Sequence, residues 1–198
     1  QQYAKQFNSI EFNGFFYNVH SRAQVQKWVN AVPRGFLFCP KFTQSITHIR
    51  RLQNAREEVD EFLDVISTFG KHLGPIFLMP NPQMGLKHLE TIKQFISDLP
   101  RDVELFLELR HDEWYKDGYN NEMFDFLRSV KRGTVITDAA GRRDCVHMHL
   151  SVPECFIRFV GNALHETDYI RIDEWVKRIK KWMAEGLETC YFFMHQHD

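Results

Sequence analysis

No run of about 18 apolar residues occurs in this 198-residue chain, so no transmembrane helix is expected. Charge of one sign is missing as well. The 25 Lys and Arg against 26 Asp and Glu leave a formal net charge of −1, which gives no global field to recruit nucleic acid or an anionic membrane. The four cysteines, Cys39, Cys145, Cys155 and Cys190, show no CxxC spacing. With Cys39 and Cys190 inside apolar strands, they are expected to be reduced core thiols of a cytoplasmic protein. There is no Gly-rich phosphate loop, no GxSxG elbow and no HExxH, so no motif points to a particular cofactor. No secretory signal is visible. No low-complexity tract or linker interrupts the chain, and its 43% hydrophobic content, with 18 Phe and 4 Trp, can fill one core. A single domain over 1–198 is the expectation.

What is present is an alternation of short apolar runs with amphipathic helical periods. Strands are expected at Ile10–Phe16, Phe36–Lys41, Ile76–Met79, Val103–Arg110, Thr134–Asp138, Cys155–Val160 and Thr189–His195. Helices are expected at Ala23–Val32, Ala55–Phe69, Leu86–Leu99, Glu122–Val130 and Ile172–Met183, the last burying Ile172, Trp175, Val176, Ile179, Trp182 and Met183. The stretch Ala139–Glu154 has no clear helical period. Strands alternating with helices make a parallel sheet, and seven strands suit a TIM-type (β/α)8 barrel better than an open doubly wound sheet. The opening helical segment Gln2–Phe7 has no strand before it, and no helix follows the last strand. The first strand and the C-terminal helix of the barrel are therefore expected outside this chain. In Val103–Arg110 the residues Val103, Leu105, Leu107 and Leu109 share one face, and Glu104, Phe106, Glu108 and Arg110 the other. An open sheet buried on both faces reads as nearly continuous apolar sequence, whereas a barrel strand can carry polar residues on its lumen side.

Polar residues concentrate where these runs end, which is where parallel α/β folds place their sites. Glu11 and Asn13 share a face of the first strand. Lys41 ends the second, with His48 in the following loop. Glu108 and Arg110 end the fourth, Asp138 the fifth, Arg158 the sixth with Asn162 just beyond, and His195 the seventh, followed by His197 and Asp198. If the strands close, three cations would face three carboxylates at one mouth. Arg and Lys together favour a phosphate or carboxylate group, and a carboxylate or His beside them could act as acid or base. Glu11, Glu108, Asp138 and His195 are the expected catalytic groups, and Asn13, Lys41, His48, Arg110, Arg158 and Asn162 the substrate-binding ones. Glu108 is expected to hold Arg110 in place, leaving Lys41 and Arg158 for the ligand. The four catalytic candidates could alternatively hold a divalent metal, although the neighbouring cations oppose one, and no metal ligand is assigned. Structural readings stand beside these: Glu108–Arg110 as an ion pair fixing register, Lys41 as a solvated loop charge, and His147-x-His149 as a surface loop rather than a metal pair.

Several of these segments resemble motifs of the YecE-like family, a domain of unknown function (number 72). They are Glu11-Phe12-Asn13-Gly14-Phe15-Phe16-Tyr17, Lys41-Phe42 with Ile46-Thr47-His48, Glu108-Leu109-Arg110-His111 with Trp114, Ile157-Arg158-Phe159-Val160-Gly161-Asn162, and His195-Gln196-His197-Asp198. The likeness runs in order along nearly the whole chain and implies a TIM-type barrel. It implies no reaction. Where the family often has Gln-x-Pro, this chain has Leu78-Met79-Pro80, which removes a polar group at position 78.

Two functional classes follow. One is an enzyme or enzyme-like barrel acting on a small anionic substrate. The other is a non-catalytic module that binds a metabolite or nucleic acid, for which Tyr17 and Trp114 are the candidate stacking aromatics. The near-neutral charge disfavours the nucleic-acid form, and the fold alone does not choose between the classes.

Overall fold

The computed structural model describes residues 2–116 and 120–196. Parallel strands alternate with helices, and the chain divides in sequence into two compact units, Gln1–Phe106 and Leu107–Asp198.

In the first unit, β1 (Ser9–Phe12) pairs in parallel with β2 (Leu37–Pro40). Isolated parallel bridges, Phe38 to Leu73 and Lys41 to Phe77, carry β2 to β3 (Ile76–Leu78). Helix α1 (Tyr3–Gln6) precedes β1. The first strand is shorter than expected, because Gly14–Tyr17 coil into a helical turn, α2. That coil turns Phe15 inward, where its ring meets Phe12, Trp28, Phe62 and Phe69 edge-on. Such edge-to-face packing is the favoured aromatic geometry. Helix α3 (Arg22–Val29) is capped by the Ser21 hydroxyl accepting from Gln24 N. Helix α4 (Arg56–Ile66) buries Val59, Phe62, Val65 and Ile66. Its continuation breaks at Gly70, whose φ of 54° is a left-handed conformation that glycine takes without a Cβ penalty. Helix α5 (Leu89–Asp98) buries Ile92, Phe95 and Ile96.

Between β2 and α4 the sequence offered only a polar loop. Ser45–Ile49 instead forms a π-helical turn, a form concentrated at functional sites. Strand β4 (Leu105–Leu107) is three residues long, so Glu108 and Arg110 lie just past it rather than inside it.

The second unit carries β5 (Gly133–Ala139), β6 (Glu154–Val160) and β7 (Thr189–His195), joined in parallel in that order. Helix α6 (Asn120–Ser129) precedes β5. No α-helix links β5 to β6, in keeping with the aperiodic stretch there; a short 3-10 turn, Arg143–Cys145, takes its place. Helix α7 (Glu166–Ala184) packs Trp175 and Trp182 against Ile136, Cys155, Ile157 and Phe159. Its buried stripe is narrower than the periodicity suggested. Val176 and Met183 are exposed, while Asp168 and Arg171 are buried. All four cysteines are free, and Cys155 and Cys190 sit side by side in the β6–β7 register.

Candidate functional site

Glu108 is wholly buried just beyond β4. A carboxylate out of water is costly unless donors surround it, and three do. Thr137 Oγ1 donates to Oε1 at 2.6 Å and Arg110 Nε donates to the same oxygen at 2.6 Å. Arg158 Nη1 bridges both carboxylate oxygens at 2.9 Å. The β-sheet supplies the placement, since Thr137 and Arg158 are direct register partners on β5 and β6 and paired residues project to the same face. The expected division of labour therefore changes. Glu108 takes both guanidinium groups rather than Arg110 alone, and Arg158 is buried with it.

Arg110 is the more open of the two cations, with 27% of its side chain exposed. It donates through Nε, and its two Nη nitrogens make no hydrogen bond among the described residues. Its loop is clamped through backbone carbonyls: Tyr115 Oη donates to Leu109 O at 2.9 Å and Arg142 Nη2 to Arg110 O at 3.1 Å. Burial, with Cys145 and Glu108 nearby, pushes the Tyr115 hydroxyl far up, so it serves as a neutral donor.

Alternation along β5 separates two expected partners. Thr137 faces Glu108, so its neighbour Asp138 projects to the opposite, α7-covered face. There Asp138 accepts from Arg171 Nη1 at 2.9 Å and Trp175 Nε1 at 2.8 Å, and Arg143 lies 3.4 Å away. Arg171 also binds Asp168 at 2.8 Å. The expectation that Asp138 joins Glu108 at one mouth is corrected: its side chain is committed to the sheet–helix interface. Ala139, Val160 and His195 form the next row on the Thr137–Arg158 face, so His195 is level with that face, two residues beyond Phe193. His197 and Asp198 lie outside the described residues. Asn162 is exposed, and its backbone N donates to Asp168 Oδ2 at 2.7 Å, so its described role is anchoring the start of α7. A Cβ at Gly161 would fall 2.3 Å from Gln196 Nε2, which accounts for glycine after Arg158-Phe159-Val160.

In the first unit, Glu11 is buried and accepts from Asn13 Nδ2 at 2.9 Å. Lys41 is buried rather than solvated, with Nζ 4.3 Å from the Phe16 ring centre, 5.7 Å from that of Phe77 and 3.6 Å from Met79 Sδ. Aromatic faces attract a desolvated cation. Met79 of the departing Leu78-Met79-Pro80 segment thus meets the lysine, while Leu78 is core. His48 packs edge-on to Phe16 with centroids 5.2 Å apart. Its pKa is lowered by burial first and by the Lys41 charge second.

Of the stacking candidates, Trp114 is fully buried and offers no face to a ligand, whereas Tyr17 is 74% exposed. His147 is not on a surface loop. It is buried, its Nε2 meets Val135 O at 3.2 Å and its Nδ1 accepts from His149 N at 3.3 Å. Among the described residues, no three His, Cys, Asp or Glu side chains converge as a ligand set for a metal ion. Thr47, Thr137, Arg171 and Trp175 were missed as polar partners. Thr47 carried a signal in its place within Ile46-Thr47-His48, and Thr137 in its place next to Asp138 at a strand end.

The family model described as "Protein of unknown function DUF72" matches residues 1–198. The UPF0759 protein YecE of Escherichia coli (strain K12) is 24% identical over 217 residues, spanning all of this chain and 79% of that protein. Among solved structures, a DUF72 family protein from Enterococcus faecalis V583 aligns with a TM-score of 0.79 at 20% identity, over 99% of this chain and 86% of that one. A DUF72 family protein from Thermotoga maritima MSB8 aligns with a TM-score of 0.75 at 19% identity, over 96% and 78%. Likeness at this identity speaks to the fold: parallel strands with interspersed helices.

Proposed function

This chain belongs to the DUF72 family of proteins of unknown function, and from that premise we propose an enzyme-like protein acting on a small phosphate- or carboxylate-bearing molecule. In this reading residues 1–198 form one TIM-type barrel domain, and the ligand meets the carboxyl ends of its strands, where such folds place their chemistry. The observation that carries the reading is the Glu108 cluster. Two guanidinium groups converge on one carboxylate, and Arg110 presents its Nη edge from a partly exposed side chain. Guanidinium forks match phosphate and carboxylate oxygens. The free thiols suit a reducing compartment such as the cytoplasm. The divalent-metal alternative has less support, because Glu108 and Asp138 face opposite sides of the sheet and each is held by cations. The deciding experiment is calorimetric titration with inorganic phosphate and acetate. Arg110→Ala is expected to weaken binding by about 1.5–3 kcal/mol, the range for a hydrogen bond to a charged group; equal affinity in wild type and variant would refute the reading.

A further inference from the structure

No α-helix runs between β5 and β6, and a crossover helix is what usually covers a parallel sheet at that place. A cleft of about 400 Å³ opens there, between the connecting segment and α7, a volume within the range of small-ligand sites. Trp175 is its nearly buried floor, with the indole N–H donated to Asp138 at 2.8 Å. Met148 lines one wall from the connecting segment and is 42% exposed. Arg143 stands on the same wall with about half of its side chain exposed, its guanidinium 3.4 Å from Asp138.

The other wall is a stripe of α7. Glu174, Lys177, Arg178 and Lys181 follow at i, i+3, i+4 and i+7, so all four share one face of the helix, and like charges at that spacing repel. Lys181 has a local reason to be there. It sits in the last turn, where the helix dipole favours a cation, and lies 3.7 Å from Glu185. Lys177 and Arg178 precede the last turn, beyond the reach of that effect. Among the described residues, the side chains of Glu174 and Lys177 form no hydrogen bond or ion pair, and Arg178 meets only the Trp182 ring, 5.8 Å from its guanidinium carbon. Cations of one helix face thus stand opposite Arg143 across an apolar floor.

We propose that this cleft binds a nucleoside monophosphate, a phosphate monoester joined through a hydroxyl-bearing sugar to a flat ring. The site lies on the α7-covered face of the sheet, opposite the Glu108 cluster, and does not depend on the reading of that cluster. Each part of the ligand answers one part of the lining. The phosphate matches the guanidinium and ammonium donors of Arg143, Lys177 and Arg178. The Met148 thioether adapts to a flat ring and makes favourable sulfur–aromatic contacts. An ionised Glu174 only accepts hydrogen bonds, which suits a sugar hydroxyl. Its charge beside the cations also favours one phosphate over a chain of them. Inorganic phosphate satisfies the first of these contacts alone, and a free nucleoside only the other two.

Backbone amide resonances of the whole chain, followed on titration with adenosine monophosphate, test this. Saturable shifts are expected at Met148 and along Glu174–Lys181, with adenosine and inorganic phosphate each binding there about tenfold more weakly or worse. Lys177→Glu changes an exposed side chain that forms no described pair, and it should weaken the nucleotide by about tenfold or more, as should Arg143→Gln. Lys180→Glu, exposed on the same helix but outside the cleft, should leave the affinity unchanged, and so should Arg110→Ala. A loss in Lys180→Glu equal to that in Lys177→Glu would reduce the site to a diffuse basic surface and overturn it. Inorganic phosphate bound as tightly as the nucleotide would overturn the ligand class. A loss in Arg110→Ala would move the nucleotide to the Glu108 cluster and overturn the placement, and no saturable shift of these residues at millimolar nucleotide would overturn the proposal entirely.

Discussion

Acidification is expected to loosen this fold through His147, and the effect can be worked out from its surroundings. The ring is buried beside Tyr115 and Phe124, with Nε2 donating to Val135 O and Nδ1 accepting from His149 N. Both nitrogens are satisfied in the neutral form, so a second proton would have to displace the His149 N–H. Burial therefore lowers the pKa from its ordinary 6.5 to about 4, with the Val135 carbonyl opposing the shift and His149 adding slightly to it. A depressed folded pKa means that the unfolded chain binds more protons between these limits. Stability is then fully present above about 6.5 and is lost as the pH falls toward 4. At about 1.4 kcal/mol per pH unit, the shift is worth about 3 kcal/mol by pH 4. The assay is chemical denaturation of wild type and His147→Gln from pH 7 to pH 4, where the difference between the two cancels the carboxylates they share. His147→Gln should be the less stable protein at pH 7, and its deficit should shrink or reverse by about 3 kcal/mol at pH 4. Parallel curves for the two proteins would refute the assignment of a neutral, buried ring.

Three further outcomes follow from the polar clusters. Glu108→Gln removes the charge that two guanidinium groups share and should cost about 3 kcal/mol of stability in urea denaturation; an unchanged midpoint would mean that the buried cluster is not formed. Asp138→Asn leaves Arg171 under-compensated beneath α7 and should cost a similar amount, about 3 kcal/mol, while phosphate affinity stays within twofold of wild type; a large loss of affinity would return Asp138 to the ligand site. Arg158→Ala strips a buried partner from Glu108, so its melting temperature should fall; an unchanged or raised value would mean that the Arg158–Glu108 bridge is not formed.

Much of the fold was legible because burial on two faces leaves a periodic trace. Runs such as Cys155–Val160 and Thr189–His195 and the Trp175/Trp182 stripe read correctly in the sequence. The short β1 did not, because Phe15 is drawn into an aromatic cluster that coils the chain early, and that tertiary preference overrides an apolar run. The π-helical turn at Ser45–Ile49 was invisible for a similar reason: its stabilising bonds come from Thr43 and Asn81, outside the turn. At the site, Glu108, Arg110 and Arg158 could be grouped from strand-end position alone, and they are in contact. Asp138 could not be separated from them, because its face depends on the register between β5 and its neighbours. Strand-end position says that a residue is near the edge of the sheet; only alternation from a known partner, here Thr137 against Arg158, says which face it takes.

The central claim is that the guanidinium edge beside Glu108 receives an anion. The most direct measurement is calorimetric titration of inorganic phosphate into wild type and Arg110→Ala at fixed low ionic strength, with the folded state of each confirmed by circular dichroism. Saturable binding to wild type, weakened by about 1.5–3 kcal/mol in the folded variant, is the predicted result. Binding of equal strength to both proteins, or no saturable binding to either, would contradict it.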